Sequence, residues 1–172
     1  MKLSLVILLF ALHTTASARI GETYNELVTR YGKAVPWGPE GQGLSRNVDA
    51  KHFAFQRWAI EVYLIDGHCV YEGYTKVHGG MDQSDIDLIL GANSRGKHWK
   101  TVETIDWGGA TLKVGSSAVI NAWVLEGEPL TCIYERFDAP TERIQVYSKT
   151  WSEFFADLLR KQREEELKKS GL

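Results

Sequence analysis

The sequence predicts an α+β protein built from two tandem helix-plus-antiparallel-meander units followed by a C-terminal helix. Three observations carry this. Amphipathic segments opened by capping residues recur at Thr23, Asp82 and Thr150, and alternating apolar strands follow the first two of them. The tetrapeptide CVYE at 69–72 returns as CIYE at 132–135, 63 residues later, on what reads as the same strand of a repeated unit. The expected boundaries are a leader over 1–18, a first unit over 19–80, a second over 81–149, and a helix with a charged tail over 150–172.

The first helix opens at Thr23, with Glu26 three residues on to complete a capping box, and Tyr24, Leu27, Val28 and Tyr31 form its apolar stripe. Gly32 ends it, and a connection rich in proline and glycine, KAVPWGPEGQGLSRNVDA, leads to the strands. HFAF, AIEVYLI and HCVYEGYTK then read as a three-stranded meander, with Asp66-Gly67 as a tight hairpin turn. In the second unit Asp82 caps MDQSDIDLILGAN, and Ile86, Ile89 and Leu90 supply the stripe. Strand-like runs follow at TVETI, ATLKV, SAVINAWVL and LTCIYERF, with Glu126-Gly127 in the turn, and IQVYS closes the series. The last helix carries a Thr150/Glu153 capping box and an apolar face of Trp151, Phe154, Phe155, Leu158 and Leu159. Beyond Leu159 the stripe stops, so the second half of this helix is expected to project into solvent.

Lys2, the apolar run from Leu3 to Leu12 and the small-x-small triplet Ala16-Ser17-Ala18 have the form of a secretory leader cleaved after Ala18. The run is too short for a membrane span, and the mature chain contains no longer one, so no transmembrane segment is expected in it. An exported, periplasmic or secreted protein is the expectation. Its body before Arg160 is acidic, with 14 bases against 19 acids once the leader is removed, which argues against nucleic acid as a partner.

Chemical signatures are sparse. GANSRGKH, residues 91–98, approaches a phosphate-binding loop but puts His98 where a hydroxyl belongs and follows a helix where a strand is required. His52, His68, His78 and His98 are isolated in sequence, with no spacing that places two ligands on one helical face, so no metal or other cofactor is expected. Asp82, Asp85 and Asp87 suit the start of a helix better than a calcium loop. Cys69 cannot be activated by His68, because adjacent strand residues point to opposite faces. Cys69 and Cys132 have two readings, a disulfide linking the units or a pair of small core residues. No nucleophile elbow occurs, and no catalytic residue is nominated.

RIGETYNELVTRYGKAV, the meander FAFQRWAIEVYLIDGHCVYEGYTK and the joint LILGANSRGKHWK together resemble a group of exported bacterial proteins of unknown function with an R-[IL]-G-E-T helix before a β-meander. Gly21, Thr23, Glu26 and Leu27 are also similar in spacing to the helix start of SmpA/BamE-type outer-membrane assembly lipoproteins and of β-lactamase inhibitor protein, although the lipid-bearing cysteine is absent. The resemblance implies a helix-plus-meander fold and a binding protein over an enzyme. A non-catalytic envelope protein that contacts a protein or envelope component is therefore expected, with Trp37, Trp58, Tyr63 and Trp123 as its contact surface. The alternative is a small hydrolase with a site assembled from scattered carboxylates and histidines such as His52, His68 or His98.

Overall fold

The structure, a computed structural model, describes residues 20–36, 48–116, 119–136 and 142–170. α1 (Tyr24–Tyr31) leads into β1 (Asp49–Phe55), β2 (Trp58–Ile65) and β3 (His68–Lys76). Asp66 and Gly67 both take positive φ, 51° and 78°, the turn whose twist matches the strands it joins. α2 (Gln83–Asn93) precedes β4 (Trp99–Thr101), the hairpin β5 (Thr104–Trp107) and β6 (Ala110–Lys113), and then β7 (Val119–Leu125), β8 (Leu130–Arg136) and β9 (Glu142–Ser148). α3 (Lys149–Lys169) ends the described chain. The class is α+β, as the sequence predicts.

Seven strands form one antiparallel sheet in the order β1-β2-β3-β9-β8-β7-β4, and β5-β6 form a separate pair. Both α1 and α2 lie on one face, where Leu27, Tyr31, Ile86 and Ile89 share a buried cluster with Phe53, Val62, Cys132 and Val146. A half turn about an axis normal to the sheet between β3 and β9 exchanges β1-β2-β3 with β7-β8-β9 and keeps both helices on that face. Matching β3 to β8 instead would need an axis along the strands, which would send the helices to opposite faces. The two tetrapeptides are therefore not equivalent, contrary to expectation: CVYE lies on the third strand of its meander and CIYE on the second.

A β-bulge separates them further. Leu64 pairs with Cys69 while Tyr63 pairs with Tyr71, so Val70 is one residue too many. Cys69 faces α1 and α2, Val70 and Tyr71 join the opposite cluster, and Glu72 returns to the helix side, where the Tyr74 hydroxyl donates to it at 2.5 Å. β8 has no such slip against β9, so Cys132 and Tyr134 face the helices while Ile133 faces away. Cys69 and Cys132 are both buried free thiols. The possible disulfide is corrected here: β9 runs between their strands, and two strand spacings of about 4.8 Å exceed the roughly 7 Å that a disulfide spans. They are small core residues, the other reading of the sequence.

α2 is capped by Asp82, which accepts from the Asp85 N–H at 3.0 Å, as expected. Asp85 does more than complement a helix start: it is fully buried and takes Arg57 at 2.6 Å and Lys76 at 2.7 Å, tying α2 to the β1–β2 turn and the end of β3. α3 begins one residue before the expected start, because Ser148, not Thr150, is the residue that accepts from the Trp151 N–H. Trp151 is buried on the other sheet face, stacked on Tyr63 with ring centroids 4.8 Å apart. From Leu159 onward the side chains of α3 are exposed, so its second half projects as the pattern indicated.

Candidate functional site: a groove between helix and hairpin

The β5–β6 hairpin turns at Gly108-Gly109, with φ of 57° and 80°, and lies over the sheet face opposite α1 and α2. Ile105, Trp107 and Leu112 anchor it to the Tyr147 and Trp151 cluster. The turn abuts α3 so closely that a Cβ on Gly108 would stand 2.7 Å from the Leu159 side chain. Beside that contact, the hairpin, α3 and the sheet enclose a cleft of about 690 Å³.

Its floor is one row of cross-strand neighbours, Val124, Thr131 and Tyr147, on β7, β8 and β9. One wall is β5, from Thr104 to Asp106. The other is a stripe of α3, Lys149, Ser152, Glu153 and Ala156, whose three- and four-residue spacing puts them on one side of the helix. The Ser152 hydroxyl donates to the Asp106 carbonyl at 3.3 Å, joining the walls. Glu128 and Pro129 close the end at the β7–β8 turn. Lys149 pairs with Glu153 at 3.5 Å, and Glu128 pairs with Lys97 and with Arg95, whereas the Asp106 carboxylate has no ion pair among the described residues and accepts from the Thr111 hydroxyl at 3.1 Å. The Tyr147 hydroxyl is buried without a partner at normal hydrogen-bond geometry; burial pushes its ionisation up, and the nearby Thr131 hydroxyl opposes this.

The residues the sequence nominated are elsewhere. Trp37 lies outside the described residues. Trp58 is buried on the α1/α2 face against Tyr74, and Tyr63 on the opposite face under Trp151, so these two do not form the expected contact surface; their large apolar rings are spent on two different cores. Trp123 is half-buried and packs against the α1/α2 cluster. His68 and His98 are exposed on β3 and just before β4, with β9, β8 and β7 between those strands, and His78 is exposed in the turn before α2. Among the described residues no group of three or more His, Cys, Asp or Glu side chains is placed to hold a metal ion. GANSRGKH forms the end of α2 and the turn into β4, where Arg95 and Gly96 take positive φ.

His52 is the nominated histidine that meets charged company. It stands opposite Glu61 across β1 and β2, and burial first, then the Arg143 guanidinium, push its ring down to about 4. Arg143 bonds Glu61 at 3.1 Å and donates to the Tyr71 hydroxyl at 3.4 Å; the Tyr63 hydroxyl also donates to Glu61, and Gln145 donates to Glu135. This is an internally matched network, and none of its members lines the groove. On the other face Glu72, fully buried between Tyr31 and Tyr74, is pushed up to about 7, first by burial. The same burial raises the Cys69 thiol well above its ordinary value, which keeps it unreactive.

Sequence reasoning missed the groove residues Thr104, Asp106, Thr131, Tyr147 and Ser152. The Gly-Gly hairpin flanked by TIDW and ATLK was a legible signal for one wall. That it folds over α3 was not, because nothing local dictates which sheet face a hairpin covers.

No family model matches the chain, and no curated protein matches it. Among solved structures it is similar to a cysteine-rich secretory protein from Staphylococcus aureus, at 10% identity and a TM-score of 0.44, over 77% of this chain and 45% of that one. The chain thus spans less than half the length of that protein. Among the described residues no helix is long and apolar enough to cross a membrane.

Proposed function

We propose that this is an exported, non-catalytic binding protein of the cell envelope that holds its partner in the groove between α3 and the β5–β6 hairpin. The observation that carries the reading is the groove: its 690 Å³ lies within the roughly 300–1,000 Å³ of ligand sites, on a floor of paired strands that needs no rearrangement. Its lining mixes apolar surface with hydroxyls and carboxylates, the composition of a recognition surface. Glu72, His52 and Cys69, whose ionisation burial displaces, lie away from it, and in its lining burial displaces only the Tyr147 hydroxyl, upward, which keeps that group protonated. Export is supported by Lys2, the apolar run from Leu3 to Leu12 and Ala16-Ser17-Ala18.

The test places a photo-crosslinking side chain at position 153, on the groove rim, and separately at position 78, on an exposed turn, and exposes both proteins to envelope extract. A defined adduct from 153 alone, lost when Ser152→Arg fills the groove of a protein with unchanged circular dichroism, is the expected result. Equal adducts from the two positions, or indifference to Ser152→Arg, would sink the reading.

A further inference from the structure

Glu72 sits in an apolar row of the sheet. It is fully buried on the helix side of β3, and its cross-strand neighbours are Val62 on β2 and Val146 on β9. Among the described residues no cation pairs with it. Arg30, on α1, is held by two bonds to Glu22, and the buried acid of α2, Asp85, takes Arg57 and Lys76. The contacts of Glu72 are two hydroxyls. Tyr74, from β3 itself, stands 2.5 Å from Oε2, Tyr31, from α1, stands 3.4 Å from Oε1, and the two hydroxyls are 3.3 Å apart. These three groups close a triangle. With the carboxyl protonated, three protons serve three contacts: the acid donates to Tyr31, Tyr31 to Tyr74, and Tyr74 back to the acid. With the carboxyl ionised, two protons remain for three contacts, and a charge is left in the core with no cation bonded to it. The neighbouring Cys69 thiol, raised by burial and then by Glu72, stays neutral and offers no compensation.

Water reaches that charge most readily from the helix side. β2, β3 and β9 are each paired on both sides within the seven-stranded sheet, so the floor around Glu72 is fixed. α1 has eight residues, too few to be helical without the sheet, and it is the element that brings Tyr31 over the carboxyl. We propose that α1 is a pH-gated lid: ionising Glu72 lifts the helix while the rest of the chain stays folded, and presents Phe53 and Phe55, the rings on which Tyr31 packs. Burial first, and then Glu22, push the ionisation of Glu72 up to about 7, against the opposing effect of the Tyr74 and Tyr31 hydroxyls and of Arg30. The closed lid is therefore fully favoured below the ordinary 4.5 and yields as pH rises through 7. Local opening separates the lid from a general loss of stability, and it does not depend on the groove.

The test is amide hydrogen exchange of the full chain at pH 5 and at pH 8.5, expressed at each pH as protection relative to the unfolded rate. The Leu27 and Gly32 amides, bonded to the Thr23 and Val28 carbonyls, read α1, and the amides of β8 and β9 read global unfolding. The expected result is α1 protection below that of β8 and β9 at both pH values, falling on the order of 50-fold from pH 5 to pH 8.5. Glu72→Gln, neutral at both, should show no such fall. Protection of α1 equal to that of β8 and β9 would mean that the helix leaves only when the whole chain unfolds, and overturns the lid. Protection of α1 that is the same at the two pH values in the unaltered protein overturns the gate without recourse to any variant. A fall that persists in folded Glu72→Gln overturns the role of this carboxyl.

Discussion

Glu72 and Glu135 end the two similar tetrapeptides, yet they lie on opposite faces of the same sheet. Glu72 is buried with Tyr31 and Tyr74 under α1, and Glu135 accepts from Gln145 on the face that carries α3. The cause is Val70. One extra residue in β3 reverses the facing of everything after it, and β8 has no counterpart.

The burial of Glu72 makes stability pH-dependent with a definite sign. Its carboxyl titrates at about 7 in the folded protein against an ordinary 4.5, so its contribution is fully present below 4.5 and is lost as pH rises through 7. The loss approaches about 3 kcal/mol by pH 8.5. Urea unfolding at pH 5 and at pH 8.5 should show Glu72→Gln closing most of that gap relative to the unaltered protein. A variant with the same pH slope as its parent would refute the assignment.

His52 acts in the opposite direction. Its ring titrates near 4 when folded, below the ordinary 6.5, so the stability it contributes is present above 6.5 and disappears as pH falls through 4. Imidazole NMR should find His52 neutral down to about pH 5 and titrating near 4. A midpoint above 6 would mean that the ring is neither buried nor beside Arg143.

Trp151 holds α3 to the sheet through Tyr63 and Tyr71. Trp151→Ala should cost about 3–5 kcal/mol in denaturant unfolding. Truncation after Leu159 removes, among the described residues, only exposed side chains and should cost less than about 0.5 kcal/mol. A large loss on truncation would mean that the projecting half is held by something in the folded protein.

Cys69 and Cys132 should resist alkylation in the native state and both react in denaturant without reductant, as intact-mass measurement would read. A mass two hydrogens short with no alkylation would show a disulfide, which the intervening β9 forbids.

Gly108→Ala adds a Cβ where Leu159 already sits and keeps a positive φ, so the hairpin should lift from α3 at a cost of about 1–3 kcal/mol. Faster hydrogen exchange confined to β5 and β6 would be the signature; unchanged exchange would mean that the turn does not set the width of the groove.

The sequence by itself determined what local physics controls. Thr23/Glu26 and Asp82 cap their helices, Asp66-Gly67 makes its turn, period-two alternation marks the strands, and the apolar stripe of α3 stops where solvent begins. Only the tertiary structure decided which residues meet. Trp58 and Tyr63 read alike as aromatic strand residues and went to separate cores, because facing depends on register, and register on partners far along the chain. CVYE and CIYE read as a repeat, and a single bulge and a different place in the strand order made them unlike. The groove itself belongs to no segment: its floor, helix and hairpin come from β7 to β9, α3 and β5, and long-range packing alone brings them together.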